Sequence, residues 1–580
     1  MNRKQRRAAL KHSPLPSLGP LPADPIKQLL IKAAWHQQQN ELGEAVRLYR
    51  RVLSLKPDHA EAHNNLGAVL LAQAKLSEAS THFARALALT PQLSDQFFPI
   101  RSTLIQVLPQ IEPAMQRAFD AWPTRLPAYR LFGSAGLAAI ASDALLLCIL
   151  QSTSVRNVPL ERLLTSLRSI LLSAAVAGQT VSDAELIFCC ALAKQCFINE
   201  YVFIATPAEE AQVEQLVTDL RMTLATGDKI SSLWLAAIAM YRPLDQLTYA
   251  NVLVDRQWPP AVNDVLTQQV REVRQEQALR DTIPRLTPID DDVSQRVRQQ
   301  YEENPYPRWV DLAGDVEPIP LNQYLRELFP TAAFTPLTTS EPDILVAGCG
   351  TGRHAIWMAQ RFAQARFTAV DLSLSSLCFA KRKTPPALAE RISYAQADIL
   401  KLGAIGRSFD MIDASGVLHH MADPLAGWRI LLTLLKPGGF MHMCLYSEFG
   451  RGDVSAARQF VAERGYTTTA ADIRRCRQDL LDTPLRTVTR FNDYFNTSDC
   501  RDLLFHVQET CTTIPALKAH IAEYGLKFVG FAFNRGALQR YLALFAQNGW
   551  SMSDLDRWHE LEIQQPDTFS GMYQIWLQKP

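Results

Sequence analysis

One stretch of this chain limits its fold more than any other. Asp343-Ile344-Leu345-Val346-Ala347 is a short apolar run, and Gly348-Cys349-Gly350-Thr351-Gly352 follows it at once. A run this apolar suits a strand buried on both faces. Glycines placed directly after such a strand allow a tight turn and the close approach of a ligand to the backbone. Beyond them Ile356, Ala359 and Ala363 share one helical face, which predicts a helix from about Arg353 to Phe362. Strand, glycine turn and helix in this order open a parallel α/β sheet.

Further landmarks arrive in sequence. Phe367-Thr368-Ala369-Val370-Asp371 predicts a second strand, whose terminal acid stands 19 residues after Gly352 and can accept hydrogen bonds from a ribose diol. Ile392 to Asp398 predicts a third strand, ending in an acid suited to an adenine amino group. Phe409 to Ala414 predicts a fourth, leading into Ser415-Gly416-Val417-Leu418-His419-His420, where a substrate crevice should open beyond the strand's carboxyl end. Leu435-Lys436-Pro437-Gly438-Gly439 turns into a fifth strand, Phe440 to Tyr446, and two runs near 527–531 and 572–577 close the series. The glycine pattern is G-x-G-x-G, not the G-x-G-x-x-G of dinucleotide sites, and no basic residue is aimed at a phosphate.

Together these features resemble the class I S-adenosylmethionine (SAM)-dependent methyltransferase family over roughly residues 340–580. The resemblance implies a Rossmann-like seven-stranded sheet with an antiparallel last strand, and SAM as cofactor. It implies that Gly348, Cys349, Gly350 and Gly352 line SAM, that Asp371 with Leu372 meets its ribose, that Asp398 with Ile399 borders its adenine, and that Ser415 sits beside it. The family usually carries an acid two residues before the first glycine, which helps to hold the methionyl amino group; here that position is Val346.

Methyl transfer from a sulfonium is an in-line displacement, so an enzyme supplies mainly proximity and orientation. A general base is needed only when the acceptor must lose a proton. His419 is the candidate base and Tyr446 the candidate acceptor-pocket residue. The segment Tyr301-Glu302-Glu303-Asn304-Pro305-Tyr306-Pro307-Arg308-Trp309 precedes the first strand, and its prolines force an extended path. Tyr306 could cover the sulfonium by cation–π contact and Arg308 could meet the SAM carboxylate; packing on the sheet is the other reading for Tyr306 and Trp309. Residues 447–525 form an insertion expected to act as a lid over the acceptor, with Arg474, Arg475 and Arg477 on a solvated helix face.

The first half of the chain reads as helix. Residues 1–24 combine Arg and Lys with four prolines, the composition of a tail. In 25–92, Ala45, Tyr49 and Pro57 recur 34 positions on as Ala79, Phe83 and Pro91, with Leu66-Gly67 between. This resembles a pair of tetratricopeptide (TPR) repeats, in which small residues let helices approach and an aromatic fills the gap; His63 and Leu70 stand where Trp and Tyr are usual. Residues 93–290 read as a helical domain, with one buried helix expected near Leu131–Leu150 and another from Ala184 to Val202, and residues 291–341 as a segment covering the cofactor. The expected fold is thus multidomain, α followed by α/β, and the whole arrangement resembles bacterial proteins that join TPR repeats to a methyltransferase domain over residues 342–580.

Composition narrows the partners. With 59 basic and 58 acidic residues the net charge is +1, so no global field favours nucleic acid or an anionic membrane. The ten cysteines form no CxxC pair and no zinc-finger spacing, so no metal is expected and the thiols are read as reduced and buried. No apolar region follows the basic N-terminus and no long unbroken apolar span appears, which makes the cytoplasm the expected location. The expected function is methyl transfer to an acceptor that the sequence does not identify. A protein selected by the TPR helices is one reading, a small molecule or glycan a second, and a non-catalytic scaffold with a degenerate SAM site a third.

Overall fold

The computed structural model describes residues 24–90, 111–312, 317–532, 535–545 and 551–580. The expected N-terminal tail lies outside these residues except for Asp24, and so does Pro91 of the second repeat. The chain divides into two compact units, one of Met1–Ala114 with Asp143–Ser152, the other of Met115–Ser142 with Thr153–Pro580.

In the first unit the helices Pro25–Gln38, Leu42–Leu55, Ala60–Ala72 and Leu76–Leu89 pack each on the next. Asp24 caps the first, accepting from the Ile26 amide at 2.9 Å. Ala45, Ala62 and Ala79 are fully buried, and so, nearly or wholly, are Tyr49 and Phe83. Phe83 lies so close to Gly67 that a Cβ on Gly67 would stand 2.9 Å from its ring. The repeat read from the sequence therefore rests on real contacts between these positions.

The helical region expected over 93–290 is shared out between the units, Asp143–Ser152 going to the first and Thr153 onward to the second. The apolar stretch around Leu131–Leu150 is not one helix but three, Ala128–Phe132, Ala138–Ala141 and Ala144–Ser152. Gly133 and Gly136, with φ of 64° and 54°, break it. In the second unit Asp183–Ile198 starts on a capping box between Ser182 and Glu185. It stops at Ile198, short of Val202, because Glu200 and Tyr201 take left-handed φ of 54° and 57°.

The sheet has seven strands: β1 Asp343–Ala347, β2 Arg366–Asp371, β3 Ile392–Gln396, β4 Phe409–Ser415, β5 Leu435–Leu445, β6 Lys527–Phe531 and β7 Tyr573–Gln578. Their spatial order is β3-β2-β1-β4-β5-β7-β6. The first five pair in parallel, and β7 runs antiparallel to both β5 and β6. Alternate residues feed two cores: Leu345, Ile412, Met441 and Trp428 on one face, Ile344, Val346, Met411 and Trp576 on the other. Burial on both faces is what near-continuous apolar strands require. The β3 edge is covered by an extended segment in which the Gln396 amide donates to the Pro284 carbonyl at 2.8 Å.

The insertion between β5 and β6 is a helical layer with its own core, including Val454, Ile473, Leu480 and Tyr494. Its arginines are not all solvated. Arg477 is 1% exposed and donates to both carboxylate oxygens of Glu161, at 3.1 and 2.8 Å. Arg474 donates to the Tyr201 carbonyl at 2.9 Å, while Arg475 stays outside with Asp472. The insertion is therefore fastened to the helices that precede the sheet. All ten cysteines are free; most are buried, as expected, but Cys511 is exposed. Among the described residues no helix is long and apolar enough to cross a membrane.

Candidate functional site

β1 ends in the glycine loop, whose Gly348 and Cys349 amides both donate to the Val370 carbonyl at 2.9 Å. Gly348 and Gly350 adopt φ of 75° and 51°. A Cβ on Gly348 would come within 2.5 Å of Val417, and one on Gly350 within 2.6 Å of the Tyr306 carbonyl oxygen. Asp371, at the end of β2, accepts from the Gly350 amide at 2.8 Å and from the Ser373 amide at 2.9 Å. Burial pushes its carboxyl above the usual range, and these amides offset only part of that. Each of its oxygens keeps a lone pair for another donor.

The segment ahead of the sheet lies on this loop. The Thr351 amide donates to the Tyr306 carbonyl at 3.3 Å, the Thr351 hydroxyl to the Pro307 carbonyl at 2.5 Å, and the Trp309 indole to Thr351 at 3.2 Å. Trp309 is packed, 5.6 Å from the Phe379 ring, and Tyr306 stacks on Tyr301 at 6.2 Å. Arg308 is engaged elsewhere than expected: its Nε stands 3.3 Å from Glu200 and its guanidinium lies between Phe197 and Phe379. Glu200 also accepts from the Ser498 amide at 2.6 Å, so the strained turn after Asp183–Ile198 joins the cover segment to the insertion.

Asp398 follows β3. Its Oδ1 accepts from the Leu400 amide at 2.9 Å and its own amide donates to Thr287 at 2.8 Å. Its Oδ2 is buried without a hydrogen-bond partner. Burial pushes this carboxyl up, and the Leu400 amide and the nearby Ser294 hydroxyl work against that. Ile399 is buried beside it, and Leu372 is half-buried after Asp371.

Ser415 ends β4 and donates to Asp413 at 3.0 Å. Asp413, nearly inaccessible, also faces His442 Nδ1 at 2.6 Å and His354 Nε2 at 3.1 Å. Burial works against its charge, but the two histidines hold it well below the usual carboxylate range. Burial likewise works against a charged His442; Cys444 and Asp413 outweigh it, and the imidazole is pushed up to about 10.

Beyond the β4 and β5 ends lies the insertion side. His419 is 1% exposed and neither ring nitrogen has a partner. Burial, then His420 and Arg451, drive its pKa far down against a weaker opposing interaction with the Cys444 backbone, so the ring is neutral. Its ring centre is 4.0 Å from that of Tyr446 and 4.2 Å from that of His420. Arg451 lies 3.6 Å over the Tyr446 ring and grips Glu509 through two bonds of 3.0 and 2.9 Å. His420 Nδ1 meets the Gln508 carbonyl at 2.9 Å, and its ring stacks on His506 at 3.7 Å. Tyr301 donates to Asp502 at 2.6 Å. Burial and Asp502 push Asp493 up to about 6, and burial and His420 push His506 down to about 2.

The structure brings His419 and Tyr446 into contact at the β4 and β5 ends, and sets Gly350 against both the Asp371 carboxylate and the Tyr306 carbonyl. Sequence reasoning passed over His354, Asp413, His442 and the insertion residues that wall the His419 side. One signal was there to use for Asp413: an ionisable residue inside a strand buried on both faces needs a partner.

Residues 344–439 match the family model of a methyltransferase domain, and residues 37–74 that of a TPR repeat. A protein of Synechococcus sp., described as uncharacterized, is 31% identical over 202 residues, covering 33% of this chain and 48% of its own length. The ubiquinone biosynthesis O-methyltransferase of Albidiferax ferrireducens is 31% identical over 140 residues, covering 23% of this chain and 52% of its own. The chain thus spans about half the length of these curated relatives. The solved structure of PKMT2 from Rickettsia typhi in complex with AdoHcy aligns at 16% identity over 44% of this chain and 52% of that one, with a TM-score of 0.35, too distant to argue from.

Proposed function

We propose that this chain, which carries a class I SAM-dependent methyltransferase domain together with a TPR repeat, is an enzyme that transfers a methyl group from SAM to an acceptor admitted from the insertion side. The observation that carries this reading is the fit of the polar groups at the strand ends to a nucleoside without phosphate. Asp398 Oδ2, buried and unpartnered, is suited to an adenine amino group, with Ile399 as an apolar wall. Asp371 has lone pairs left for ribose hydroxyls, with Leu372 beside it. Gly348, Cys349, Gly350 and Gly352 offer backbone and no obstructing side chain; Ser415 borders the amino-acid end.

SAM, when bound, supplies a methyl group already activated on a sulfonium. The chain's part is to orient the reactants, exclude water and receive a proton where the acceptor must lose one. Tyr306 is assigned to the cofactor's cover, where an aromatic face suits a cation. Arg308 is assigned to fixing that cover through Glu200 rather than to the SAM carboxylate. His419, neutral and unpartnered, is assigned as the proton acceptor, and Tyr446 as a wall of the acceptor pocket.

The acceptor we favour is a protein chosen partly by the TPR helices. A small-molecule acceptor is the second reading, favoured by the near-complete burial of His419 and Tyr446, 1% and 8% exposed. Calorimetric titration with SAM and with its demethylated product tests the function: micromolar binding is expected in the intact protein and its loss in Asp371→Ala. Absence of binding by the intact protein would sink the enzymatic reading. Labelled-methyl transfer in lysate, with and without residues 1–92, then separates the acceptors. A protein chosen by the repeats should lose its label on deletion, and a small molecule should not.

A further inference from the structure

The carboxyl ends of β4 and β5 place polar side chains together in a layer that is otherwise apolar. Asp413 is in register with His442, and Ser415 with Cys444, all on one face of the sheet. The first turn of the helix Arg353–Arg361 brings His354 onto them. From Asp413 Oδ2 it is 2.6 Å to His442 Nδ1, 3.1 Å to His354 Nε2 and 3.0 Å to Ser415 Oγ, and Ser415 Oγ is 3.2 Å from His442 Nδ1. Apolar residues could fill this layer at least as stably, since a buried ion pair adds little net stability. That makes the gathering of two imidazole nitrogens and a hydroxyl around Asp413 Oδ2 the feature to explain.

We propose that His354, Asp413, Ser415 and His442 form a binding site for a divalent transition metal, and that zinc is the ion its donors fit. Two imidazole nitrogens with oxygen donors suit zinc, whereas magnesium and calcium demand oxygen cages. Tetrahedral zinc with bonds of about 2.0–2.1 Å holds its ligands about 3.3 Å apart. The four separations given above, 2.6 to 3.2 Å, need only modest widening to reach that, and the His354, Asp413 and His442 ligand atoms all lie within 4.8 Å of one another. His442 has a place for its ring proton away from the ion, since its Nε2 faces Cys444 Sγ at 3.8 Å. The ligands are also held from behind, as metal ligands usually are. Trp576 stacks on His442 at 4.7 Å, Trp357 on His354 at 5.6 Å, and the Ser415 amide donates to the other Asp413 oxygen at 3.3 Å. The His354 side chain is 40% exposed, which opens a path from solvent.

The other cluster of similar composition, His420, Asp502 and His506, lacks what this one has. His506 Nδ1 accepts from the Gln508 amide at 3.1 Å, so its proton sits on Nε2, facing the Tyr301 hydroxyl. No lone pair is left there for an ion.

The test needs neither SAM nor an acceptor, so it stands or falls apart from the methyltransferase reading. Full-length protein, stripped with a chelator, is titrated with zinc chloride by calorimetry and with cobalt(II) chloride followed by its visible spectrum. Expected are one tight ion per chain, a raised melting temperature with zinc, and cobalt bands of a tetrahedral site. His354→Gln, at a partly exposed position, should keep the fold by circular dichroism and weaken zinc binding at least ~10-fold. Asp413→Asn should abolish it. Absence of saturable binding, or a stoichiometric ion that survives both substitutions, would overturn the proposal.

Discussion

The glycine-loop side of the site and the insertion side are built by opposite means. On the loop side the backbone does most of the holding: the Gly348 and Cys349 amides donate to the Val370 carbonyl of β2 and the Thr351 amide to the Tyr306 carbonyl, while the Gly350 amide turns to the Asp371 carboxylate. On the insertion side long side chains hold distant backbone. Arg477 reaches Glu161 across 316 positions of chain, and Asn496 donates to the Ile198 carbonyl across 298. A backbone-made site depends on where side chains are absent, whereas a side-chain-made site depends on which ones are present. The two sides should therefore fail differently when altered.

Removing Arg477 tests the insertion side most severely. Arg477→Leu leaves Glu161 buried without its partner and should cost about 3–5 kcal/mol in denaturant unfolding. An effect below about 1 kcal/mol would mean that the insertion is held by its apolar core instead. On the loop side Gly350→Ala meets both a left-handed φ and the Tyr306 carbonyl. It should cost about 1–3 kcal/mol and weaken SAM binding in calorimetry. Wild-type affinity in that variant would show that the cover segment yields easily.

Acid sharpens the contrast, because buried histidines crowd the insertion side. His506, pushed down to about 2, stays neutral in the folded chain while the unfolded chain binds a proton below about 6.5. Its contribution is thus present at neutral pH and is lost as pH falls from there towards 2. The stability gap between wild type and His506→Gln should narrow by about 1.4 kcal/mol per pH unit between roughly pH 6 and 4. A gap that stays constant would mean that His506 is protonated in the native state. The smallest effect is expected at Thr351→Val, which loses the hydroxyl's bond to Pro307 and one of the two Thr351 acceptors of the Trp309 indole, the Thr351 carbonyl remaining, about 1 kcal/mol by urea unfolding.

The same contrast explains what could be read from sequence. β1, the glycine loop and the acid that ends β2 follow from short-range patterns, and the structure has them where the patterns put them; the antiparallel last strand, implied by the family resemblance, is present as β7. The Gly67–Phe83 contact was similarly foreshadowed by the repeat, because its period fixes which residues meet. The burial of Arg477 was not, since a helix with three arginines reads as solvated until Glu161 is known to lie beneath it. The ion pair of Arg308 was hidden for the same reason, its partner Glu200 being 108 positions away (308 minus 200) in a turn whose left-handed residues carry no local signature. Boundaries such as the end of the helix at Ile198 depended on that turn too.

The cover segment bears on where this protein could be cut. The stretch that matches the methyltransferase family, 344–439, contains neither Tyr306 and Pro307, which cap the glycine loop, nor Pro284, which pairs with the β3 edge. A graft made at those borders would carry the loop without its roof and expose an unpaired strand edge to whatever chain came near. The smallest portable piece would have to begin upstream of Pro284, and upstream of Glu161 if the insertion is to keep its anchor. What looks in sequence like a detachable module has been stitched into its neighbours, and recombination that respects only the family borders would break it.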